Sequence, residues 1–299
     1  AERNIISGNT EIGVGILNTG ATNNIVQGNF IGTDITGSNE LGNGDGVQIG
    51  AGAQNNTIGG TATGAGNVIS GNGGSGIAVT GGSGTSILGN IIGLNVSGTA
   101  PVGFFGNEIA GVLVSRGSAT VGGTTPGARN IIAGNGVRLI SAVRPTQVFE
   151  SGVGVRISGG TGSQVVGNTI GPGNGTGVDI DEAANSVIGG TSSAERNIIS
   201  GNDLGVGIFG ATAKNNIVQG NLITQNGEGG VGISSGASNN KIGGTTAGAG
   251  NSIANNGFEF GFDGTFAAGP GVSVSSGTGN AILGNSISSN GRLGIDLSP

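Results

Sequence analysis

The chain has 299 residues, 71 of them Gly, and it contains no Cys, His, Met, Trp or Tyr. Without Cys or His there are no disulfides, and a zinc site or a His-based catalytic triad is nearly excluded. Ten Lys and Arg residues against 16 Asp and Glu residues give a formal net charge of −6, which argues against a nucleic-acid partner. No apolar run reaches the length of a membrane helix, so we expect no membrane insertion.

The high Gly content indicates neither collagen nor disorder. The chain has no Gly-X-Y period, and its Ile, Val and Leu residues recur at fixed places in a way that disordered segments lack. A Gly-rich chain that still buries apolar residues has many tight corners, at which Gly and Asn adopt positive φ angles. The elements between these corners should therefore be short.

One short motif, Gly-Val/Ile-x-Ile/Val/Leu, recurs along the whole chain. Each copy is too short for a helix and alternates as a strand does. Two further apolar runs follow each of the first nine copies, such as Thr57-Ile58 and Val68-Ile69 after the second copy. The motif begins at ten glycines, which are Gly13, Gly46, Gly76, Gly111, Gly154, Gly177, Gly205, Gly230, Gly271 and Gly294.

Three short strands in a turn of about 22 residues are typical of one coil of a β-solenoid, whose coils stack about 4.8 Å apart. The sequence therefore predicts an all-β parallel β-helix of about ten coils with three short strands per coil. We expect residues 1–299 to form a single domain. Because the chain lacks an initiator Met and both ends fall within a coil, we expect a fragment or processed product of a longer protein. Flanking domains or end-to-end self-association would then cover its ends.

Asn recurs at the corners in two alternating patterns. One reads NNxIGG and then GNxISGN, as in residues 56–72, and the other reads IVQGN or ILGN, as in residues 25–29. The Asn side chains of successive coils should stack into internal ladders, because their amides can satisfy backbone groups that turns leave free. We therefore interpret the abundance of Asn as structural rather than functional.

The third residue of the motif points outward, because alternate residues of a strand face opposite sides. Asp181, two residues after Asp179, shares this outward face. Arg156 and Asp179 occupy the same position in successive coils, so we expect them to be neighbours. The outward residues in chain order are Gly15, Gln48, Ala78, Leu113, Arg156, Asp179, Gly207, Gly232, Ser273 and Asp296.

Long insertions precede four of the motif strands, and loops of this length tend to carry function. They span residues 33–45, 94–110, 137–151 and 257–270. The last two lie four coils apart, or about 19 Å, and would form walls around a polar floor of outward side chains. The substrate-binding candidates on this floor and in its walls are Arg144, Glu150, Arg156, Asp179, Asp181, Phe260 and Asp263.

The repeated motifs resemble the right-handed parallel β-helix of the pectate-lyase-like superfamily over essentially the whole chain. The segments NNTIGGTATGAGNVISGN, QGNFIGTDITGSNELGNGDGV and SSNGRLGIDL are similar to long secreted or surface repeat proteins of bacteria. The resemblance implies a right-handed β-helix at an extracellular or cell-surface location. It does not imply one activity, because the superfamily contains lyases, hydrolases, epimerases and adhesins.

The catalytic residues of these enzymes do not transfer to this chain. Epimerases of this fold use Tyr and His, which are absent, and polygalacturonase-type hydrolases need NTD and DD motifs, which the chain lacks. Pectate lyases use an Arg base beside calcium-binding carboxylates, which Arg156 beside Asp179 and Asp181 resembles only loosely. We therefore expect no cofactor and no metal site, with calcium at Asp179 or Asp181 as the alternative.

Two functional hypotheses follow. The first is a non-catalytic extracellular rod, a structural or adhesive module of a bacterial surface or secreted protein, which the missing catalytic residues favour. The second is a carbohydrate-binding or carbohydrate-active protein whose partner is a polysaccharide or cell-surface glycan. If it is an enzyme, it would be a polysaccharide lyase or glycoside hydrolase with Asp179 and Asp181, about 7 Å apart on one strand, as the catalytic pair. A plain cross-strand ion pair between Arg156 and Asp179 is the structural alternative.

Overall fold

The computed structural model describes residues 2–50, 52–136, 152–260 and 266–298. The regular structure in these residues is almost entirely β, with one short 3-10 helix at Pro126–Ala128. Three parallel sheets run along the chain, and the strand order in each sheet follows the order of the strands in the chain. Each strand pairs with its equivalents in the preceding and following coils. This arrangement confirms the predicted all-β parallel β-helix of about ten coils with three strands per coil.

The first sheet contains the Gly-Val motif, and the second and third sheets follow it within each coil. The strands of the first sheet are Ile12–Ile16, Asp45–Ile49, Ile77–Thr80, Ala110–Ser115, Val153–Ser158, Thr176–Asp181, Leu204–Phe209, Gly229–Ser234, Val272–Val274 and Ile295–Asp296. Those of the second are Ile25–Val26, Thr57–Gly59, Thr85–Leu88, Ala119–Gly122, Gln164–Val166, Val187–Gly189, Ile217–Gln219, Lys241–Gly243 and Ala281–Leu283. Those of the third are Ile5–Ile6, Phe30–Ile31, Val68–Ile69, Ile91–Ile92, Ile131–Ile132, Thr169–Ile170, Ile198–Ser200, Leu222–Thr224, Ser252–Ala254 and Ser286–Ser288.

The hydrophobic core lies between the three sheets and is built from Ile, Val and a few Ala side chains. In the strand Thr176–Asp181, Val178 and Ile180 are fully buried, whereas Asp181 at the end of the strand is partly exposed. The same alternation recurs from coil to coil, which confirms that the Val and Ile of the motif point inward. Burial of each such side chain contributes about 1.5–3 kcal/mol, so stacking of the coils supplies most of the stability. Within the described residues, no helix is long and apolar enough to cross a membrane.

The Gly that opens each motif is required by close packing between coils. A Cβ atom at Gly177 would lie 2.7 Å from the Gly205 carbonyl oxygen and 2.7 Å from Ile199 Cγ2. It would also lie 3.0 Å from Nδ2 of Asn202, a buried corner residue. Any larger residue would therefore push the third-sheet corner away from the first sheet, which explains why the motif begins with Gly.

Two Asn ladders extend through ten coils each and confirm the predicted stacking. In every rung, an Nδ2 amide donates to the Oδ1 atom of the Asn in the next coil, as from Asn130 to Asn168 at 2.9 Å. Most rungs also bond a backbone carbonyl of the preceding coil, as Asn168 Nδ2 does with Val121 at 2.8 Å. One ladder contains Asn4, Asn29, Asn67, Asn90, Asn130, Asn168, Asn197, Asn221, Asn251 and Asn285. The other contains Asn9, Asn43, Asn72, Asn107, Asn135, Asn174, Asn202, Asn226, Asn256 and Asn290.

A third Asn ladder, at the corner between the first and second sheets, is interrupted. Asn24 bonds Asn56 at 3.0 Å, and farther along the chain Asn216, Asn240 and Asn280 continue the same pattern. In the coils between these two parts, the positions are occupied by Thr85, Ala119, Ser163 and Ser186. The hydroxyl oxygens of Thr85 and Ser186 are buried and have no hydrogen-bond partner. This corner therefore differs in chemistry between the middle and the two ends of the rod.

Two of the four long insertions are fully described, at residues 33–45 and 94–110. Each one leaves a strand of the third sheet and returns through a tight turn. The tips of the two insertions contact each other, since the Val96 N–H donates to the Gly37 carbonyl at 2.9 Å. These two insertions therefore form one continuous layer on the outside of the rod.

The insertion at residues 257–270 contains antiparallel pairing, unlike the parallel sheets of the rod. Its strands Phe258–Phe260 and Phe266–Ala268 pair in an antiparallel hairpin. The remaining insertion, residues 137–151, lies outside the described residues.

Candidate functional site

The predicted polar floor lies on the outer face of the first sheet, where two adjacent strands carry its charged side chains. Arg156 belongs to Val153–Ser158, and Asp179 and Asp181 belong to Thr176–Asp181. The strands are parallel neighbours in which Arg156 is paired with Asp179 and Ser158 is paired with Asp181. The alternation that buries Val and Ile therefore places all three charged side chains on one outer surface.

Arg156 and Asp179 form an ion pair across the two strands. Arg156 Nε lies 2.8 Å from Asp179 Oδ2, and the side chains are 30 % and 5 % exposed, respectively. Asp179 therefore faces outward by register and is still buried, a result that alternation alone could not predict. The carboxylate fixes the position of the guanidinium, whose exposed part remains accessible to a ligand.

Asp181 is the more accessible of the two carboxylates. Its side chain is partly exposed, and the Ser158 hydroxyl donates to Oδ2 at 3.4 Å. Asp179 and Asp181 lie two residues apart on one strand, so their environments differ although they share a face. A buried, ion-paired carboxylate thus lies beside a partly exposed one, and catalysis by this pair stays a prediction.

Phe209 completes this face and was not predicted from the sequence. It is in register with Asp181 in the next coil and is partly exposed. Its ring lies over Gly207, where a Cβ atom would overlap the ring. The signal that could have found it is the outward column two residues after the motif's third position, which also contains Ser158 and Asp181. We call Arg156, Ser158, Asp181 and Phe209 the strand-face site.

Glu182 follows Asp181 but does not contribute to the strand-face site. The chain turns at Glu182, whose φ angle is +51°, and its carboxylate accepts the Thr212 backbone N–H at 2.7 Å. A side-chain hydrogen bond from Thr212 is the main cause that lowers the pKa of Glu182, and the Thr212 backbone N–H adds to it. Glu182 therefore links two successive coils at this corner through its hydrogen bonds with Thr212.

The other predicted site residues cannot be placed beside the strand-face site. Arg144, Glu150 and Asp263 lie outside the described residues, and Phe260 is placed by its backbone in the hairpin strand Phe258–Phe260. Among the described residues, no group of three or more acidic, His or Cys side chains could hold a metal ion. Calcium at Asp179 or Asp181 stays a prediction.

Comparison with solved structures shows the fold of this chain. The periplasmic alginate epimerase AlgG matches with a TM-score of 0.54 and 16 % identity, over 87 % of this chain and 50 % of that one. The A-module of the mannuronan C-5 epimerase AlgE6 from Azotobacter vinelandii matches with a TM-score of 0.53 and 19 % identity, over 88 % and 58 %. These likenesses confirm the right-handed parallel β-helix.

The comparisons do not establish a family. The chain spans about half the length of these structures, between 50 % and 58 %. The sequence matches no protein-family model and no curated protein. Evidence on function must therefore come from the residues of the strand-face site themselves.

Proposed function

We propose that this protein binds a polysaccharide along the outer face of its first sheet, at the strand-face site. The observation that carries the proposal is the ion pair of Arg156 with Asp179, which presents a fixed guanidinium beside the partly exposed carboxylate of Asp181. A guanidinium held in this way can bind a sugar carboxylate or hydroxyl groups, and Asp181 and Ser158 can accept or donate further hydrogen bonds. The named activity of the two compared proteins, on alginate or mannuronan, adds support for a carbohydrate ligand.

Phe209 strengthens the case for a sugar. A partly exposed aromatic ring beside polar groups offers an apolar surface to the C–H face of a pyranose ring. Its neighbours at the same register position are Asp181 in one coil and Ser234 in the next, so the ring is flanked by polar side chains. A polymer that lies across successive coils would meet Arg156, Asp181 and Phe209 in turn.

Binding fits this site better than catalysis. The side chain of Asp179 is 5 % exposed and engaged with Arg156, which makes it a poor partner for acid/base work with Asp181. An extracellular location follows as part of the proposal, because polysaccharides of this kind lie outside the cytoplasm.

A structural or adhesive rod is the second candidate function. Two uninterrupted ladders of buried Asn residues run along the rod, and such networks stiffen a structure when every member is satisfied. A stiff spacer needs no ligand. The two functions differ in whether the strand-face site is occupied.

The test is polymer binding by the parent chain and by Asp181→Ser and Phe209→Ser. Ser stands at the same register position in neighbouring coils, at Ser158 and Ser234, so both variants should fold. Titration calorimetry with oligomers from alginate, homogalacturonan and a neutral glucan, with and without calcium, should show binding that weakens about tenfold in Phe209→Ser. Asp181→Ser removes an acceptor for sugar hydroxyls and also a charge that repels an acidic oligomer, so it should weaken binding of a neutral oligomer and not that of an acidic one. Arg129→Ala, an exposed substitution in another part of the rod, is the matched control.

Two outcomes would overturn the proposal. If no oligomer binds the parent chain, the rod function stands instead. If the parent releases new reducing ends or unsaturated products, the protein is an enzyme and the site is catalytic.

A further inference from the structure

The corner between the first and second sheets has two forms. In four coils its inner residue is Ala21, Ala53, Ala213 or Ala237, whose N–H donates to a carbonyl three residues back. In three of these coils an Asn of the third ladder bonds the carbonyl of that Ala, as Asn240 Nδ2 does with Ala213 at 2.9 Å, and the Ala53 carbonyl accepts the Ser83 N–H instead. The N–H and the carbonyl of the inner Ala are thereby both satisfied from within the protein.

In three successive coils, Gly replaces the inner Ala. Gly82, Gly117 and Gly160 stack directly on one another, since a Cβ atom on either of the last two would overlap the carbonyl oxygen of the glycine before it. In the described part of the chain, the N–H groups of these three glycines donate to no carbonyl or side chain. The Asn of the ladder is also missing here, as described above. This form of the corner, which we call the open corner, thus leaves the N–H groups of three stacked glycines without an acceptor among the described residues.

A surface cavity of about 410 Å³ lies at the open corner and is lined by these three glycines. The hydroxyl-bearing residues Ser83, Ser118 and Thr161 also line it. Ser83 and Thr161 are exposed and Ser118 is partly exposed, so their hydroxyl groups can reach a ligand. The lining contains no Asp or Glu. Hydrogen-bond donors in a lining that contains no carboxylate favour a negatively charged ligand, and the Glu182 carboxylate in the coil after Gly159 is engaged by Thr212.

Arg116 supplies the positive charge of this cavity. It is exposed, and no hydrogen bond or ion pair of its guanidinium is found among the described residues. Its φ angle is +53°, whereas the equivalent residues of the adjacent coils are glycines, Gly81 and Gly159. A non-Gly residue in this region costs about 1–2 kcal/mol. Glu182 occupies the same position two coils later and bonds Thr212, whereas among the described residues no hydrogen bond or ion pair of Arg116 offsets this cost.

A second cavity of about 310 Å³ joins the open corner to the first sheet. It is lined by Thr80, Gly81, Ser115 and Arg116, so Arg116 stands between the two cavities. Ser115 is paired with Ser158 of the strand-face site in the next coil. A ligand held at Arg116 can therefore extend onto the same face of the sheet.

We propose that the open corner is an anion-binding site that takes a carboxylate or sulfate group carried by an acidic glycan. The Arg116 guanidinium binds two of the anion's oxygens, and the glycine N–H groups and the hydroxyls complete its shell. The site is separate from the strand-face site and does not depend on ligand binding there.

The test compares three probes with the parent chain and two variants. Inorganic sulfate, a uronic acid trimer and a neutral glucose trimer are titrated into the ¹⁵N-labelled protein, with binding followed by calorimetry and by the amide signals of Gly82, Gly117 and Gly160. Arg116→Gly places at this position the residue found in the adjacent coils, so it should fold at least as well as the parent. Arg292→Ala removes an exposed charge elsewhere and is the control.

The expected result is that the uronic acid trimer and sulfate bind and shift the three glycine amides. Arg116→Gly should weaken this binding about tenfold or more, whereas Arg292→Ala should not change it. Sulfate binding alone would identify a site for sulfate groups, and trimer binding alone would identify one for carboxylates. The proposal fails if neither anion binds, if the neutral trimer binds equally well, or if Arg116→Gly binds as the parent does. Loss of trimer binding in Phe209→Ser but not in Arg116→Gly would place the trimer at the strand-face site instead.

Discussion

The corner between the first and second sheets has two forms, one filled by Ala and Asn side chains and one in which glycines line a cavity. At Asn216 and Asn240 the corner is closed, with a buried Ala inside and an Asn rung that satisfies its carbonyl. At Gly117 the corner lacks both the methyl group and the amide, and its glycines line a cavity. A repeat protein can therefore create a binding site by leaving out side chains that its other coils use for stability.

The largest expected effect comes from breaking the closed form. Asn216→Ala removes the Nδ2 bonds to the Ala183 carbonyl and to Asn240 Oδ1, and it also removes the acceptor of the Ser186 N–H. Because these groups are buried, we expect the free energy of unfolding to fall by about 3 kcal/mol in denaturant titrations. Lys214→Ala, a change at an exposed neighbour with an ordinary backbone conformation, is the control. An equal effect of the two substitutions would show that the ladder adds nothing specific.

A substitution that fills the open corner should have the next largest effect. Gly117→Ala introduces a methyl group that overlaps the Gly82 carbonyl, so we expect a loss of about 2 kcal/mol in the free energy of unfolding. The matched change in the closed form is Ala213→Gly, which removes a buried methyl group and should cost about 1 kcal/mol. Circular dichroism melting curves of both variants test this order. Tolerance of Ala at position 117 would mean that the glycine column is not needed for packing.

A smaller effect of opposite sign is expected where the ladder is interrupted. The Ser186 hydroxyl oxygen is buried without a hydrogen-bond partner, so Ser186→Ala removes an unsatisfied group and should stabilise the protein by about 1 kcal/mol. The Ser186 backbone N–H still donates to Asn216 Oδ1 in this variant. Ser192→Ala, at an exposed hydroxyl that bonds Glu195, is the control and should not stabilise. Destabilisation by Ser186→Ala would indicate that an ordered water completes this position.

The smallest effect concerns pH and the link between coils at Glu182. Its hydrogen bonds with Thr212 lower its pKa below the ordinary value of 4.5, so the folded state favours the ionised carboxylate. Its contribution to stability is therefore fully present above the pKa of the unfolded chain and is lost as the pH falls through the folded-state value. We expect melting temperatures of the parent and Glu182→Gln to differ near pH 7 and to converge as the pH falls below the folded-state pKa of Glu182. A constant difference across this pH range would contradict the assignment.

Much of the fold could be predicted from the sequence because each coil repeats the same physical requirements. Val178 and Ile180 alternate with outward residues, the Gly before each motif strand leaves room for the next coil, and Asn recurs where a corner needs an amide. Each of these signals is local in the sequence. The register of Arg156 with Asp179 also followed from motif spacing alone.

The site was less predictable because its properties depend on neighbouring coils. The burial of Asp179 results from side chains packed around it and cannot be read from alternation. Phe209 was missed because it lies two residues after Gly207, the third residue of its motif, and therefore outside the motif itself. Arg116 belongs to no sequence motif. That it replaces a Gly with positive φ becomes visible only when the adjacent coils, with Gly81 and Gly159, are compared at the same position.

The Asn ladders also constrain how such a molecule can change in length. Every rung presents the same donor to the following coil and the same acceptor to the preceding one, so a whole coil could be duplicated or deleted without leaving an amide unmatched. The spacing between two features on the surface can then change only in steps of one coil, or about 4.8 Å. Related proteins that gained or lost whole coils would therefore differ in the distance between the proposed anion site and the strand-face site by multiples of this step.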